Sequence, residues 1–389
     1  MAGRILVLNT GSSSIKYELV DVRTRERPAR GLVERIGEEG GRLTHHAGDG
    51  PPYVREGPFP GHAEGLEAML KAFAEAGPEL DPVAVGHRVV HGGTRFTGPV
   101  LVDDGVVAAI EELSPLAPLH NPVNLAGIRV ARAAFPGVPQ VAVFDTAFHR
   151  TLPPGAYTYA VPREWGVRRF GFHGTSCAYV SRRAAAFLGR DLAELDLIVL
   201  HLGNGASATA ISGGRSVDTS MGMTPLEGLV MGTRSGDVDP AVAGYLARVR
   251  GLDAQEVEDT LGHRGGLLAL TGTLDMREVR RRDDADALLA LEVYTRRIRK
   301  YVGAYYALLG RLDAIVFTGG VGEHDAATRA QSLAGLDRLG ITVDPALNGA
   351  EAARERAVSP PGAEVSVLVV PTDEEWEIAR QALEVIPAT

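Results

Sequence analysis

A chain of 389 residues, 45% hydrophobic and 23% charged, is long enough to bury two separate cores. A net charge of −9 without a long basic run excludes long-range steering of nucleic acid, and no stretch approaches the ~18 apolar residues of a membrane span. The N-terminus lacks a basic-then-apolar leader and a single cysteine rules out a disulfide framework, so a cytoplasmic protein without membrane or nucleic-acid partners is expected.

Residues 4–9 read as a buried strand and residues 15–22 as a second one, so 4–22 is expected to be a hairpin around a Gly/Ser turn. That turn, Gly11–Lys16, looks like a nucleotide cradle but lacks the spacing G-x-x-x-x-G-K-[ST] and a following helix. It is either an ordinary turn or a phosphate site of another kind. Lys16 draws notice because only Lys71 and Lys300 join it as lysines in an Arg-rich chain. A compact ammonium suits a phosphate site, although chance retention explains it equally. Residues 41–61, rich in Gly, Pro and His, read as a surface loop. A helix at about 62–76 and a strand at 83–90 follow, then a helix from an Asn121–Pro122 cap to Ala134 and a strand at 140–145.

From about residue 151 the plan restarts. A helix at about 175–188 leads into the strand 197–202, a Gly-rich turn and the alternating segment 206–212. Asp239–Pro240 caps a helix to about Arg250, and the longest helical pattern runs from about 284 to 309. The strand 314–320 opens onto glycines, a helix at 325–338 follows, and a late strand at 365–371 precedes a terminal helix. "ILVLNTGSSSIKYELV" and "LIVLHLGNGASATAIS" open the two halves alike, which predicts a duplicated α/β domain with a mostly parallel sheet in each copy and a cleft between them.

Several motif readings fail on context. "GNGASA" at 203–208 matches G-x-G-x-x-A by letter, but Ala206–Ser212 alternates like a strand instead of opening a helix. His87 and His91 have helical metal-pair spacing, yet on an extended segment four residues span ~13 Å. G-x-S-x-G is absent, and Cys177 reads as a buried structural thiol. What survives is a pair of phosphate-binding hairpins, 9–16 and 203–207, with a glycine turn at 318–323. Arg88 and Arg234, beside glycines at expected strand-to-loop positions, could grip carboxylate or phosphate oxygens. Asp145 and Glu374 could hold Mg²⁺. His173 in "RRFGFHGTS" either stabilises charge on a transferring phosphoryl group or is a structural histidine.

The segments "NTGSSSIKY", "GHRVVHGG", "LAPLHNP", "FDTAFH", "RRFGFHGTS", "HLGNGAS", "DTSMGMTPLEGLVMGTRSGDVDP", "FTGGVGEH" and "PTDEEWEIA" occur in order along the whole chain. In them the sequence resembles the acetate/propionate kinase family. The resemblance implies two duplicated ribonuclease-H-like domains of the actin-like ATPase architecture with an interdomain cleft: residues 1–150 plus 375–389 for the first, 151–374 for the second. It implies a homodimer that reversibly phosphorylates acetate to acetyl phosphate, using ATP or ADP and Mg²⁺, which Mn²⁺ can replace.

By the same resemblance Arg88 and Arg234 orient acetate and neutralise the phosphoryl group, His173 stabilises the transition state, and Asp145 positions acetate or metal. Asn9 and Glu374 match the metal site. Lys16, His201, Leu202, Gly203, Asn204 and Gly205 match ATP-phosphate contacts. Asp275, Met276 and Arg277, with Gly320, Val321, Gly322, Glu323 and His324, match the adenosine turns. His120 fits a supporting role, and Val90, Leu119, Phe172 and Pro225 fall where the family builds its methyl pocket. Two positions depart from the family pattern: Cys177 where a second histidine is usual, and His324 where asparagine is common. The alternatives are a propionate or other short-chain carboxylate kinase and, more remotely, an ATP-driven chaperone-like binding protein.

Overall fold

In the computed structural model, which describes residues 3–350 and 354–386, the strand β1 (Arg4–Thr10) is apolar on both faces. The outermost residues of the expected first domain, 1–2 and 387–389, and residues 351–353 of the second lie outside that description. Ile5 and Val7 pack with Ile378, Ala379 and Ala382 of the helix Glu374–Val385. Leu6 and Leu8 point to the opposite face, into a cluster with Leu66, Met69 and Phe73 of the helix His62–Ala76. A strand covered on both sides needs a continuous apolar run, which is how "ILVL" reads.

The chain divides into two units: Met1–Phe148 with Asp373–Thr389, and His149–Thr372. Glu374, assigned from sequence to the second domain, therefore belongs to the first unit. The first unit's sheet has the order β5-β4-β3-β2-β1-β6-β8-β7, with β2 (Ser14–Asp21), β3 (Ala29–Glu34), β4 (Gly41–Ala47), β5 (Tyr53–Gly57), β6 (Ala84–Val89), β7 (Val100–Leu101) and β8 (Gln140–Phe144). β1 and β2 form the expected antiparallel hairpin with Asn9 opposite Lys16, while β6 and β8 run parallel to β1.

The second unit's sheet has the order β11-β10-β9-β12-β14-β13, with β9 (Asp196–Leu202), β10 (Ala206–Ser212), β11 (Arg215–Thr219), β12 (Ala314–Thr318), β13 (Arg356–Ala357) and β14 (Ser366–Val369). β9 and β10 make an antiparallel hairpin, and β12 and β14 lie parallel beside β9. Both sheets thus share one five-strand plan: β3-β2-β1-β6-β8 matches β11-β10-β9-β12-β14, antiparallel on one side of the opening strand and parallel on the other. The two glycine turns, after β1 and after β9, occupy equivalent places.

Five local expectations are corrected. Most of segment 41–61 is strand, not loop: β4 and β5 extend the antiparallel side. A Cβ on Gly41 would meet the Phe59 ring at 2.4 Å, so that glycine serves close packing within the sheet. Asn121 is not a cap; His120 holds that position, and Asn121 is the first residue of the helix Asn121–Ala134. The expected glycine turn at 318–323 is a helix, Gly319–His324, and the following helix is Ala326–Leu333, shorter than 325–338. Gly319 has φ +77°, and a Cβ there would stand 2.8 Å from the carbonyl of Leu202, which explains why the sharp strand-to-helix step needs glycine. Arg234 lies in the irregular segment 220–240, not at a strand end.

Candidate active site

In the first unit, Asn9, Arg88 and Asp145 come from the carboxyl ends of three adjacent strands, β1, β6 and β8, where open parallel sheets place their ligands. Arg88 Nε lies 3.0 Å and Nη2 2.5 Å from Asp145 Oδ2, and Nη1 donates to Asn9 Oδ1 at 3.2 Å. Glu374, at the first turn of the terminal helix, has Oε2 4.0 Å from Arg88 Nε. Burial raises the Glu374 carboxyl to about 7; Arg88 opposes that shift, and the neighbouring carboxylates Asp145 and Glu375 add to it. Lys16 Nζ stands 2.6 Å from Glu375 and 3.9 Å from Glu18, so the lysine of the first hairpin is already paired with carboxylates.

Glu374 stands with Asp145 and Glu375 around Arg88 and Lys16, so the cluster offers hard oxygens in excess of local positive charge. No group of three or more His, Cys, Asp or Glu among the described residues forms a metal cage. Asn9 Oδ1 and Glu374 therefore fit a cation that takes one or two protein oxygens and completes its shell with phosphate and water.

The loop leaving β6 is fixed by two buried asparagines. Asn121 accepts from His91 N–H and donates to His91 C=O; Asn124 accepts from Val90 N–H and donates to Thr10 C=O. One helix face thereby locks the ends of β1 and β6 in place. The i, i+3 asparagines of "HNPVN" were the available signal for this role, and the cap reading hid it. Val90 is buried and Leu119 is 55% exposed. His87 and His91 are both buried on the extended stretch, where His87 Nε2 donates to Gln140 Oε1 at 2.8 Å and His91 Nδ1 accepts from Gly93 N–H.

In the second unit, His173 caps the helix Gly174–Leu188 with φ +57°, a left-handed conformation unusual for a residue with a side chain. Its Nδ1 pairs with Ser207 Oγ at 3.0 Å, and its ring stacks on His201 at 4.2 Å. His201 is in turn held by Ser176, which also contacts Thr372. A Cβ on Gly205 would stand 3.4 Å from both His173 Nε2 and Arg234 Nη1, so the two side chains converge over the glycine turn. Arg234 forms no ion pair with a carboxylate among the described residues; Nη1 contacts only the carbonyl of Pro225 and the sulfur of Met231. Burial pulls its pKa below the usual guanidinium value. A buried guanidinium with no described carboxylate beside it is suited to bind an anion. Phe172 is buried beside His173, and its carbonyl bonds His149 Nε2. Buried Cys177 contacts Thr209 Oγ1 at 3.6 Å.

Next to this turn lies a cavity of about 690 Å³. Its lining includes Gly203, Asn204, Asp275, Met276, Arg277, Gly320, Val321 and His324, eight of the residues proposed from sequence. His201 and Leu202 end β9 behind the turn. Gly322 is buried, and Glu323 turns inward, its Oε1 accepting from the N–H groups of Gly319 and Thr372. The sequence reading missed Gly232, Leu267, Leu274, Arg280, Tyr294 and Asp325, which also line the cavity. They come from loops and from the helices Gly266–Thr271, Met276–Arg280 and Ala285–Leu309, with no shared motif to flag them.

The model of the Acetokinase family matches residues 4–380. An acetate kinase of Streptomyces coelicolor is 55% identical over 97% of this chain and 96% of its own length. One of Clavibacter michiganensis is 58% identical over 97% and 98%. Among solved structures, the acetate kinase of Porphyromonas gingivalis superposes with TM-score 0.94 at 43% identity, covering 99% of this chain and all (100%) of that one. A propionate kinase of Francisella tularensis gives TM-score 0.93 at 39% identity, with the same coverage of 99% and 100%.

Proposed function

Because the chain belongs to the acetokinase family, with the duplicated actin-like ATPase fold, we propose that it is a carboxylate phosphotransferase that moves the γ-phosphoryl group of ATP to acetate, reversibly. The observation that carries the reading is the convergence over the Gly205 turn of His173 and Arg234, which has no carboxylate partner among the described residues, beside a cavity sized for a nucleotide.

Acetate needs no general base, because its carboxylate has no proton to lose. One carboxylate oxygen forms a bond to the γ-phosphorus, and the bond from that phosphorus to the β,γ-bridging oxygen breaks in line, releasing ADP. The difficulty is that two anions meet, so alignment and charge neutralisation carry catalysis. Arg234 supplies positive charge that is already desolvated and that no described carboxylate neutralises. In the tautomer in which Ser207 donates to Nδ1, His173 presents Nε2–H toward the same point as a fixed donor for the equatorial oxygens. Asp145 holds Arg88 side-on, which orients the guanidinium fork for the acceptor carboxylate. Asn9 and Glu374 would hold Mg²⁺, or Mn²⁺ in its place; the ion, when bound, neutralises phosphate charge. Lys16 is assigned to the ATP phosphates. The contiguous adenosine site comprises Asp275–Arg277 and Gly320–His324.

Val90, Leu119, Phe172 and Pro225 are assigned to the acyl group. Likeness to a propionate kinase favours propionate as a second acceptor, since one methylene is worth only ~1–3 kcal/mol of discrimination. A homodimer is supported by the exposed apolar residues of the helix Ala241–Arg250, where Tyr245 and Val249 are each 56% exposed. No described helix is long and apolar enough to cross a membrane, and we assign the enzyme to the cytoplasm.

The test is acyl hydroxamate formation with Mg-ATP, hydroxylamine and acetate, propionate or butyrate. Acetate is expected to give product, and Arg234→Ala to lower turnover by ~10²-fold or more, the scale of losing one preorganised charge. ATP hydrolysis without hydroxamate, or a fully active Arg234→Ala, overturns the assignment.

A further inference from the structure

The helix Ala285–Leu309 carries Tyr294 into the wall of the cavity described above. The side chain is 2% exposed, yet its hydroxyl has no hydrogen-bond partner among the described residues. Buried hydroxyls are rarely left unpaired, because the lost bond to water is not replaced. The polar side chains nearby are committed to one another. Arg280 donates to Asp325 at 2.9 Å, to Gln331 at 2.8 Å and to Thr328 at 2.7 Å. Asp325 also accepts from the backbone and hydroxyl of Thr328. Tyr294 also lines the cavity, so a molecule bound there would lie against this side chain.

Gly203 and Asn204 in the cavity lining adjoin Gly205, so that part is the phosphate end of the site. Elsewhere the lining combines apolar Leu267, Leu274, Met276 and Val321 with His324 and the ion-paired Asp275, Arg277, Arg280 and Asp325. Apolar walls with a few polar groups, among them a hydroxyl that has no partner among the described residues, suit a flat heteroaromatic ring that needs a hydrogen bond to fix its orientation. We propose that the Tyr294 hydroxyl donates to a ring nitrogen of the bound nucleotide's base and makes Tyr294 a specificity-determining residue for that base. This rests on the nucleotide reading of the cavity. Burial raises the phenol's pKa, so the group keeps its proton and remains a donor.

The experiment compares the intact protein with Tyr294→Phe, which keeps the ring and deletes only the hydroxyl. Affinity is measured calorimetrically for ADP and for inorganic tripolyphosphate, which has no base, together with the Tm without ligand. The variant is expected to bind ADP about five- to tenfold more weakly, the size of one net hydrogen bond. Tripolyphosphate affinity stays the same, KM for ATP rises by the same factor with kcat unchanged, and the ligand-free Tm is unchanged or higher because an unpaired hydroxyl has gone. Equal ADP affinity in both proteins, equal weakening of tripolyphosphate, or a lower ligand-free Tm each overturns the proposal. Failure of the unmodified protein to bind ADP overturns the nucleotide reading itself, and the proposal with it.

Discussion

The guanidinium of Arg88 lies side-on to the buried carboxylate of Asp145, and this geometry leaves Arg88 oriented but already neutralised. Arg234 has no such partner among the described residues. The two arginines therefore differ in kind: one is a positioned fork, the other an unclaimed charge.

For the fork, shape matters more than charge. Arg88→Lys keeps the cation but loses the two-point contact with Asp145, and hydroxamate turnover is expected to fall ~10²-fold. Asp145→Asn leaves Arg88 with a neutral partner, and the denaturation midpoint should report a loss of about 3 kcal/mol. An active Arg88→Lys enzyme would contradict the orienting role.

Gly205 separates folding from catalysis. A methyl group there would meet His173 and Arg234 at 3.4 Å, an ordinary contact, so Gly205→Ala should fold with an unchanged Tm. The same methyl occupies the point on which both side chains converge, and turnover should drop by ~10-fold or more. Unchanged turnover would place the phosphoryl group elsewhere.

The metal site should be functional without being structural. With no three-residue cage among the described residues, chelation is expected to stop turnover while leaving the Tm unmoved. Glu374→Gln should raise the Mg²⁺ concentration for half-maximal rate by ~10-fold or more. A Tm that falls on chelation would show a cation built into the fold.

His87 predicts acid sensitivity. Burial lowers its pKa from 6.5 to about 4, with Gln140 opposing the shift by hydrogen bonding. The unfolded chain takes up this proton near pH 6.5 while the native ring resists until about pH 4. The stability contribution is thus complete above pH 6.5 and is lost as pH falls to 4, by about 3 kcal/mol. His87→Gln should flatten the stability curve across that window, measured by urea unfolding at a series of pH values. An unchanged slope would mean that the ring takes up its proton over the same pH range in the native and unfolded chain.

Much of the site was legible because it is local. The hairpins at 9–16 and 203–207 are short-range structures, written as apolar runs broken by glycines, and they form as expected. Arg88, Asp145 and Glu374 sit at the ends of elements whose periodicity marks those ends. The strands β4 and β5 were hidden because Gly and Pro mark a turn only where no neighbouring chain demands close approach. Gly41 and Gly57 face each other across that pairing. Asn121 misled for a similar reason: a good capping residue was recruited by the backbone of His91, thirty positions away.

The duplicated plan and the chemical types gathered for phosphoryl transfer were readable in line, because each is encoded in periodicity, turn chemistry or contiguous motifs. Only the tertiary structure decided the charge state of the site. Pairing depends on approach between residues distant in the chain: Lys16 meets Glu375, Arg88 meets Asp145, and Arg234 is buried without an acid among the described residues. Burial and distance set electrostatics, and neither is a property of a residue read in line.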